Sequence, residues 1–184
     1  MKKLFYLLIF LVAVFPVFSE SPQKVIVLIN GDIITEAEIN YELEQLERQA
    51  MISGEQKKIP LNYAHIEELR NTVITTLINK HILLQECTIR GITIKPEIIN
   101  QNLQSLKNQF PEEQQFHDFL KDSNISEEKL MDEIRIALSV DMLAIQLLKE
   151  ENKDYSTANE IERQKALAAL LTKLLKEADI TWVD

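Results

Sequence analysis

Near the start of the chain, the spacing of apolar residues changes from a continuous run to a helical repeat. Val25 to Ile29 is an unbroken aliphatic run, typical of a strand buried on both faces. Asn30-Gly31-Asp32 predicts a hairpin turn, because glycine adopts a positive φ without a steric clash. After two more β-branched residues, Thr35 is predicted to cap a helix, and Glu38 to reach back to the cap amide. The segment therefore predicts a hairpin docked on the helix that follows it.

Two long helices are predicted after the hairpin. The first runs from Thr35 to about Met51, and the second runs from about His65 to Arg90 with Gly91 as its C-terminal cap. A polar connection over residues 52–64 separates them. The second helix is the predicted spine of the fold, because apolar residues cover more than one of its faces. The predicted core positions are Ile39, Leu43 and Leu46 on the first helix, and Ile66, Leu69, Val73, Leu77, Leu84, Ile74, Ile78 and Ile82 on the second.

Four shorter or later helices complete the helical pattern. They are predicted from Pro96 to about Gln109, from Pro111 to about Asp122, and from a Ser126 cap to about Glu150. The sixth is predicted to open with a capping box formed by Thr157 and Glu160. Their apolar faces are Ile99, Leu103 and Leu106; Phe116, Phe119 and Leu120; Leu130, Ile134, Leu138, Met142 and Ile145; and Leu167, Leu171, Leu174 and Ala178.

The chain ends with a short alternating strand from Ile180 to Val183. The first hairpin is the only predicted partner for it, so the two ends of the chain are expected to pair. The predicted fold class is mainly α, with about six helices and a small β-sheet formed by the N-terminal hairpin and the C-terminal strand.

An apolar stretch at the N-terminus predicts export. Lys2 and Lys3 precede the apolar residues from Leu4 to Phe18, and Val17-Phe18-Ser19 offers a cleavage site after Ser19. The alternative is an uncleaved anchor, but this stretch is shorter than the roughly 20 residues that span a bilayer. We therefore expect a signal peptide over residues 1–19, a periplasmic location, and no stable membrane insertion after cleavage. Residues 20–184 are expected to form a single domain, which residues 158–184 complete.

Composition narrows the classes of partner. The chain has 20 basic and 29 acidic residues, and without Lys2 and Lys3 the balance of 18 basic against 29 acidic residues is −11. An acidic protein of this kind disfavours nucleic acid and anionic membrane surfaces as partners. The sequence contains only three glycines, which argues against phosphate-binding loops and against an all-β fold.

Residues that could support catalysis or bind metal are scattered. His65, His81 and His117 lack the spacing of a metal motif, so no metal site and no cofactor are predicted. Cys87, the only cysteine, lies in an apolar helical context that favours an inert, packed thiol. Carboxylates are spread along helix faces, and no nucleophile, base and orienting group can be assembled from them. The protein is therefore not expected to be an enzyme. Asn124-Ile125-Ser126 matches a glycosylation sequon, but a turn and a helix cap explain the same residues.

Three segments resemble the N-terminal chaperone region of the SurA family. They are VIVLINGDIITEAEI from Val25, LRNTVITTLINKHILLQECTIRGITI from Leu69, and the ISEEKL and IRIALSVDML parts of the stretch from Ile125 to Leu143. The most specific part runs from Ile78 to Gly91. The PrsA and PpiD foldases and, more remotely, the substrate-binding region of trigger factor are also similar. In the family a final helix and strand return to complete the domain, and residues 161–183 look like that piece.

The sequence departs from the family between the fifth and sixth helices. SurA-like proteins usually carry parvulin isomerase modules there, whereas only residues 150–156 connect the two helices here. A domain needs roughly 50 residues or more, so no parvulin active site is transferred to this chain. The resemblance implies a periplasmic holdase without isomerase activity, whose partners are unfolded or partly folded envelope, outer-membrane or secreted proteins. The retained hairpin and final strand predict a complete domain without an insert.

Apolar residues outside the core stripes are the candidates for client binding, because such residues can form a patch that accepts many sequences. Packing of the connection onto the second helix is the alternative for the same residues. Met131 and Met142 could also line a groove, although their spacing favours core packing. A second hypothesis is an adaptor that binds one folded envelope partner or forms a homodimer by exchange of the last helix. The candidate client-binding residues are Tyr41, Met51, Ile52, Ile59, Leu61 and Tyr63.

Overall fold

A computed structural model of the protein describes residues 23–52, 63–151 and 159–183. In these residues, helices dominate and three strands form one small antiparallel sheet, which confirms the predicted fold class. The strands are β1 (Val25–Ile29), β2 (Asp32–Thr35) and β3 (Ile180–Trp182). The helices are α1 (Glu36–Ile52), α2 (Tyr63–Ile89), α3 (Pro96–Lys107), α4 (Glu113–Asp122), α5 (Glu127–Glu150) and α6 (Glu160–Glu177).

The sheet joins the N-terminal hairpin to the C-terminal strand, as predicted. The strand order is β2-β1-β3, and Leu28 at the centre of β1 lies opposite Ile33 on one side and Thr181 on the other. Asn30 and Gly31 both have positive φ, at 50° and 95°, which is the requirement of a two-residue type I′ hairpin turn. A register shift between Val25 and Val27 marks a bulge in the β1–β2 pair. α1 starts directly after β2, at Glu36.

Hydrogen bonds around the hairpin turn tie together three distant parts of the chain. The Asn30 amide donates to the Asp179 carbonyl at 2.9 Å, and the Asp179 amide donates to Asn30 Oδ1 at 2.8 Å. Asn30 Nδ2 donates to Gln85 Oε1 of α2 at 2.9 Å. Gln85 Nε2 in turn lies 2.7 Å from Asp32 Oδ2 and 3.1 Å from the Ile29 carbonyl oxygen. We call Asn30, Asp32, Gln85 and Asp179 the clasp.

Most buried apolar side chains of the described residues belong to two clusters. The first joins the sheet, α1 and α2, and its central side chains are fully buried, among them Ile29, Ile39 and Leu77. Leu171, Leu174, Ala178 and Ile180 of the C-terminal segment pack against it. The second cluster joins α3, α4 and the start of α5. Its buried members are Leu103, Phe116 and Leu120. α5 is shared, because it contacts α3 as well as α2 and α6.

The predicted core face of α5 is wrong in its second half. The spacing of apolar residues places Met142 in the core, yet Met142 is 47% exposed, whereas the next residue, Leu143, is completely buried. The first half of α5 packs on the second cluster through Leu130 and Ile134, as the pattern indicates. The second half packs on α2 and α6, which lie on a different side of the helix. The buried residues of that half are Ser139, Leu143, Ala144 and Leu148.

Two predicted core positions on α1 and α2 are also wrong. Leu46 of α1 is 39% exposed and Ile66 of α2 is 44% exposed, although both continue an apolar stripe. Both residues lie outside the first cluster, whose members on α1 and α2 fall between Ile39 and Leu43 and between Val73 and Ile82. Helical spacing identifies a face of a helix, but the length over which that face is covered depends on its neighbours.

Helix starts agree with the prediction where local signals are strong. Thr35 Oγ1 accepts the Glu38 amide at 3.2 Å, and Ser126 Oγ accepts the Lys129 amide at 3.0 Å. Gly91 has a φ of 67°, as a C-terminal cap requires. The sixth helix is the exception: Asn159 forms the capping box with Glu162 and α6 begins at Glu160, whereas Thr157 lies outside the described residues. Asparagine is as good an N-cap residue as threonine, so the helix begins after the later of the two possible caps.

His81 of α2 lies between two carboxylates of the N-terminal segment. Its Nε2 is 3.4 Å from Glu38 Oε1 and its Nδ1 is 3.6 Å from Asp32 Oδ2. The hydrogen bond to Glu38 outweighs partial burial and raises the pKa of His81, and the negative charge of Asp32 adds to the rise. The same hydrogen bond lowers the pKa of Glu38 against the opposing effect of burial, with smaller contributions from Lys80 and the Thr35 amide. Proton binding by His81 therefore favours docking of the hairpin on α2.

Folded-state stability should decrease as the pH rises through the raised pKa of His81. The contribution of His81 is complete below its ordinary pKa of 6.5 and is lost above its pKa in the folded protein. On the acid side, the contribution of Glu38 is lost as the pH falls through its lowered pKa. The Tm of the unsubstituted protein should fall between a pH of about 6 and a pH of about 8. We expect this fall to be smaller by about 2–4 °C in His81→Gln, which corresponds to about 1 kcal/mol in the free energy of unfolding.

Thermal unfolding followed by circular dichroism at closely spaced pH values measures this effect. His117→Gln is the matched control, because His117 is exposed on α4 and its Nε2 lies 3.8 Å from Glu113. The same pH dependence of Tm in His81→Gln as in the unsubstituted protein would show that the interaction does not contribute.

Candidate functional site

An open cleft of about 490 Å³ lies between α1, α2 and the start of α5. We call it the α1–α2–α5 cleft. Its apolar lining includes partly exposed side chains, and these offer contacts that the core does not use. A neighbouring depression at Tyr41, Ile125 and Lys129 extends the cleft towards the first turn of α5. The apolar residues that line the α1–α2–α5 cleft itself are Tyr41, Leu46, Val73, Leu77, Ile125 and Ile136.

The cleft forms because α1 and α2 pack closely only along part of their length. Ile39 of α1 is fully buried, while Leu46, two turns further along, is 39% exposed at the cleft. On the α2 side, the hydroxyls of Thr72 and Thr76 donate to carbonyl oxygens four residues earlier in their own helix. These hydroxyls are therefore already hydrogen-bonded within α2, which leaves the cleft with mainly apolar contacts to offer.

The turn before α5 supplies the third wall. Asn124 has a positive φ of 50°, and Ser126 caps the helix immediately after it. Ile125, between these two residues, packs against the second cluster and also lines the cleft. The residues of the sequon thus form a turn and a cap, as their sequence indicates, and they place an apolar side chain at the site.

Three charged side chains at the cleft, Lys80, Lys129 and Glu133, form ion pairs with one another. Glu133 Oε1 is 3.3 Å from Lys80 Nζ and 3.1 Å from Lys129 Nζ. Lys129 Nζ also lies 5.7 Å from the centroid of the Tyr41 ring, within range of a cation–π interaction. Burial lowers the pKa of Lys129, but the hydrogen bond and charge of Glu133 outweigh it and the pKa is raised. Burial raises the pKa of Tyr41. The lysine therefore stays charged and the phenol stays neutral at neutral pH.

Only one of the six candidate client-binding residues has a described side chain. Tyr41 lines the cleft and is half-buried. Met51 and Ile52 belong to the last turn of α1 and Tyr63 begins α2, but their side chains lie outside the described residues. Ile59 and Leu61 also lie outside the described part of the chain. The client-binding role of all six residues stays a prediction.

The sequence pattern missed Leu46, Ile125 and Ile136 as residues of the cleft. The pattern places Leu46 in the core because it continues the stripe of Ile39 and Leu43. Ile125 lies in a turn, where apolar spacing carries no information, and Ile136 lies off the predicted stripe of α5. The apolar residues on several faces of α5 indicate that more than one side of this helix makes contacts, and this pattern could have identified Ile136. Met131 packs against the second cluster, as its spacing favours.

The thiol of Cys87 is held in a structural contact. Cys87 is buried, its Sγ is 3.5 Å from the Ser139 carbonyl oxygen, and burial raises its pKa, so the thiol stays protonated. Across residues 23–52, 63–151 and 159–183, no group of three or more His, Cys, Asp or Glu side chains could hold a metal ion. In the same ranges, every helix is too short or too polar to span a bilayer.

The family assignment agrees with this architecture. The family model described as a SurA-like N-terminal domain matches residues 1–144, which include the hairpin, α1 to α4 and most of α5. No curated protein matches the chain. Because the match covers well over half of the sequence, the chain belongs to the family of SurA-like N-terminal domains.

Proposed function

We propose that this protein is a periplasmic holdase that binds unfolded or partly folded envelope proteins, outer-membrane proteins among them, and has no isomerase activity. The observation that carries the proposal is the α1–α2–α5 cleft, an open apolar surface in a domain of the SurA-like N-terminal type. Membership of this family supports a chaperone-type role with polypeptides as partners.

The chemistry of the cleft fits clients of varied sequence. Exposed apolar side chains such as Leu46 contact other apolar groups without directional requirements, so they accept many sequences. The Lys80–Glu133–Lys129 ion pairs at the rim are partly exposed and can be rearranged at little cost in free energy. A formal net charge of −9 keeps the protein, and a complex with an apolar segment, in solution.

Suppression of aggregation is the direct test. A urea-denatured outer-membrane protein is diluted into buffer with the purified chain, and light scattering is followed together with the mass of the complexes. We expect the double variant Tyr41→Ser/Leu46→Ser to bind the client about tenfold more weakly, because two apolar contacts worth about 1.4 kcal/mol in total are lost. Far-UV circular dichroism checks that the variant is folded.

The matched control replaces two exposed isoleucines outside the cleft. Ile98 of α3 and Ile161 of α6 are exposed, and Ile98→Ser/Ile161→Ser removes a similar apolar area. Equal suppression by the two folded double variants would remove the cleft from consideration. Binding of one folded envelope partner at fixed stoichiometry, or a stable homodimer, without suppression for several clients, would favour the adaptor hypothesis instead. Proline isomerisation above the uncatalysed rate would contradict the absence of enzymatic activity.

A further inference from the structure

β3 forms one edge of the sheet, and part of its backbone faces away from β1. The Val183 amide donates to the Ile26 carbonyl at 2.9 Å, and the Asn30 amide donates to the Asp179 carbonyl at 2.9 Å. Because hydrogen-bonded residues alternate along an antiparallel pair, the N–H and C=O groups of Ile180 and Trp182 face outward. Within the described parts of the chain, no hydrogen bond reaches these outward groups.

This edge strand is short, with three residues, but it lacks the other features by which proteins usually protect a free strand. The residues of β3 include no lysine and no proline, and the bulge of the sheet lies in the β1–β2 pair, on the opposite side of β1. Trp182 is 58% exposed, although tryptophan has a large apolar surface. The edge therefore presents both unpaired backbone groups and an apolar side chain to solvent.

We propose that the free edge of β3 binds an extended polypeptide segment, which adds a fourth strand to the sheet. The inference rests on the proposed function and specifies the conformation in which part of a client is bound. Unpaired N–H and C=O groups require a partner with its own unpaired backbone, and an unfolded chain supplies one. The α1–α2–α5 cleft, by contrast, offers side-chain contacts, so the two sites recognise different features of an unfolded chain.

Charge indicates which segments fit. Exposed Glu177 and Asp179 lie immediately before β3, and Lys176 is the one exposed cation beside them in the last turn of α6. With a formal net charge of −9, a second copy of the chain would be repelled from this edge. A client strand that alternates apolar and polar residues fits the exposed apolar side chain of Trp182. Lysine or arginine near the ends of that strand fits the acidic residues before β3.

Trp182 provides the measurement, because it is the only tryptophan in the sequence. The probe is a synthetic peptide of about nine residues that alternates threonine and valine and has a lysine at each end. We expect saturable binding with a shift of Trp182 emission to shorter wavelength as the ring leaves water. A control peptide with N-methylated amides at all central residues keeps the side chains but lacks the backbone donors, and we expect it to leave the emission unchanged.

A variant of the protein tests the same backbone hydrogen bonds by changing β3 and not the peptide. Ile180→Pro removes an outward-facing amide, and proline is tolerated at such positions of an edge strand. We expect the peptide to bind this variant about tenfold more weakly, because one or two backbone hydrogen bonds are lost. If Ile180→Pro does not fold, as judged by circular dichroism, the comparison of the two peptides still decides the question. An equal emission shift with both peptides, or no shift with either, would overturn the proposal.

The scattering assay separates this inference from the proposed function. Peptide binding at β3 without suppression of aggregation would leave the edge site in place and reject the holdase function. Suppression by the cleft without any peptide-dependent change in Trp182 emission would reject the edge site and leave the holdase function in place.

Discussion

Removal of residues 159–184 is expected to abolish the cooperative unfolding transition of the remaining chain. Leu171, Leu174 and Ala178 of α6 pack against the first cluster, and β3 pairs along one side of the central strand. Each apolar side chain that loses its contacts costs about 1 kcal/mol or more, and the exposed edge of β1 adds unpaired backbone groups. Domains of this kind are stable by about 5–15 kcal/mol in total, so these losses are large enough to unfold the truncated protein.

Thermal and urea unfolding measured by circular dichroism test this expectation. Ile161→Ser in the full chain is the control, because it changes α6 at a side chain that is 61% exposed. A synthetic peptide covering residues 159–184, added to the truncated chain, should restore part of the transition if the return segment acts through the contacts described. A sharp transition in the truncated chain alone would show that the first cluster is stable without this cover.

Leu143→Ala is expected to destabilise the protein by about 2–5 kcal/mol, whereas Met142→Ala should change its stability by less than about 1 kcal/mol. The two residues are adjacent on α5, but Leu143 is completely buried and Met142 is 47% exposed. Alanine at position 143 leaves a cavity where α5 meets α2 and α6, while alanine at position 142 removes atoms that water already reaches.

Urea unfolding of the two single variants measures the difference directly. Both variants carry the same helix-favouring residue, so helix propensity changes little between them. If Met142→Ala were the more destabilising of the two, the face of α5 predicted from spacing would be correct and the described packing wrong.

The sequence predicts this fold well where a residue acts on its own neighbours. Pro96 and Ser126 start helices, Gly91 ends one, and Asn30-Gly31 closes the hairpin, because each effect depends on a few adjacent backbone groups. The pairing of the two chain ends was also predictable, since the sequence offers the last strand no other partner.

Positions whose burial depends on distant elements were predicted less well. α5 has apolar residues on several faces, so its spacing alone does not decide between Met142 and Leu143; the decision comes from where α2 and α6 lie. Leu46 continues a regular stripe and becomes a cleft residue only because neighbouring elements do not cover it. Tyr41 is a predicted binding residue, but its proximity to Lys129 results from the packing of both α1 and α5 on α2, which local spacing does not encode.

The clasp also bears on the order in which the protein folds. The hydrogen bond between the Asp179 amide and Asn30 joins residues that are 149 positions apart. Such a contact raises the contact order of a domain whose helices otherwise depend on local interactions, and a high contact order slows folding. The central strand has no partner on its β3 side until almost the whole chain has been synthesised. The hairpin and the early helices can therefore form first, while closure of the sheet is delayed until the C-terminal segment arrives.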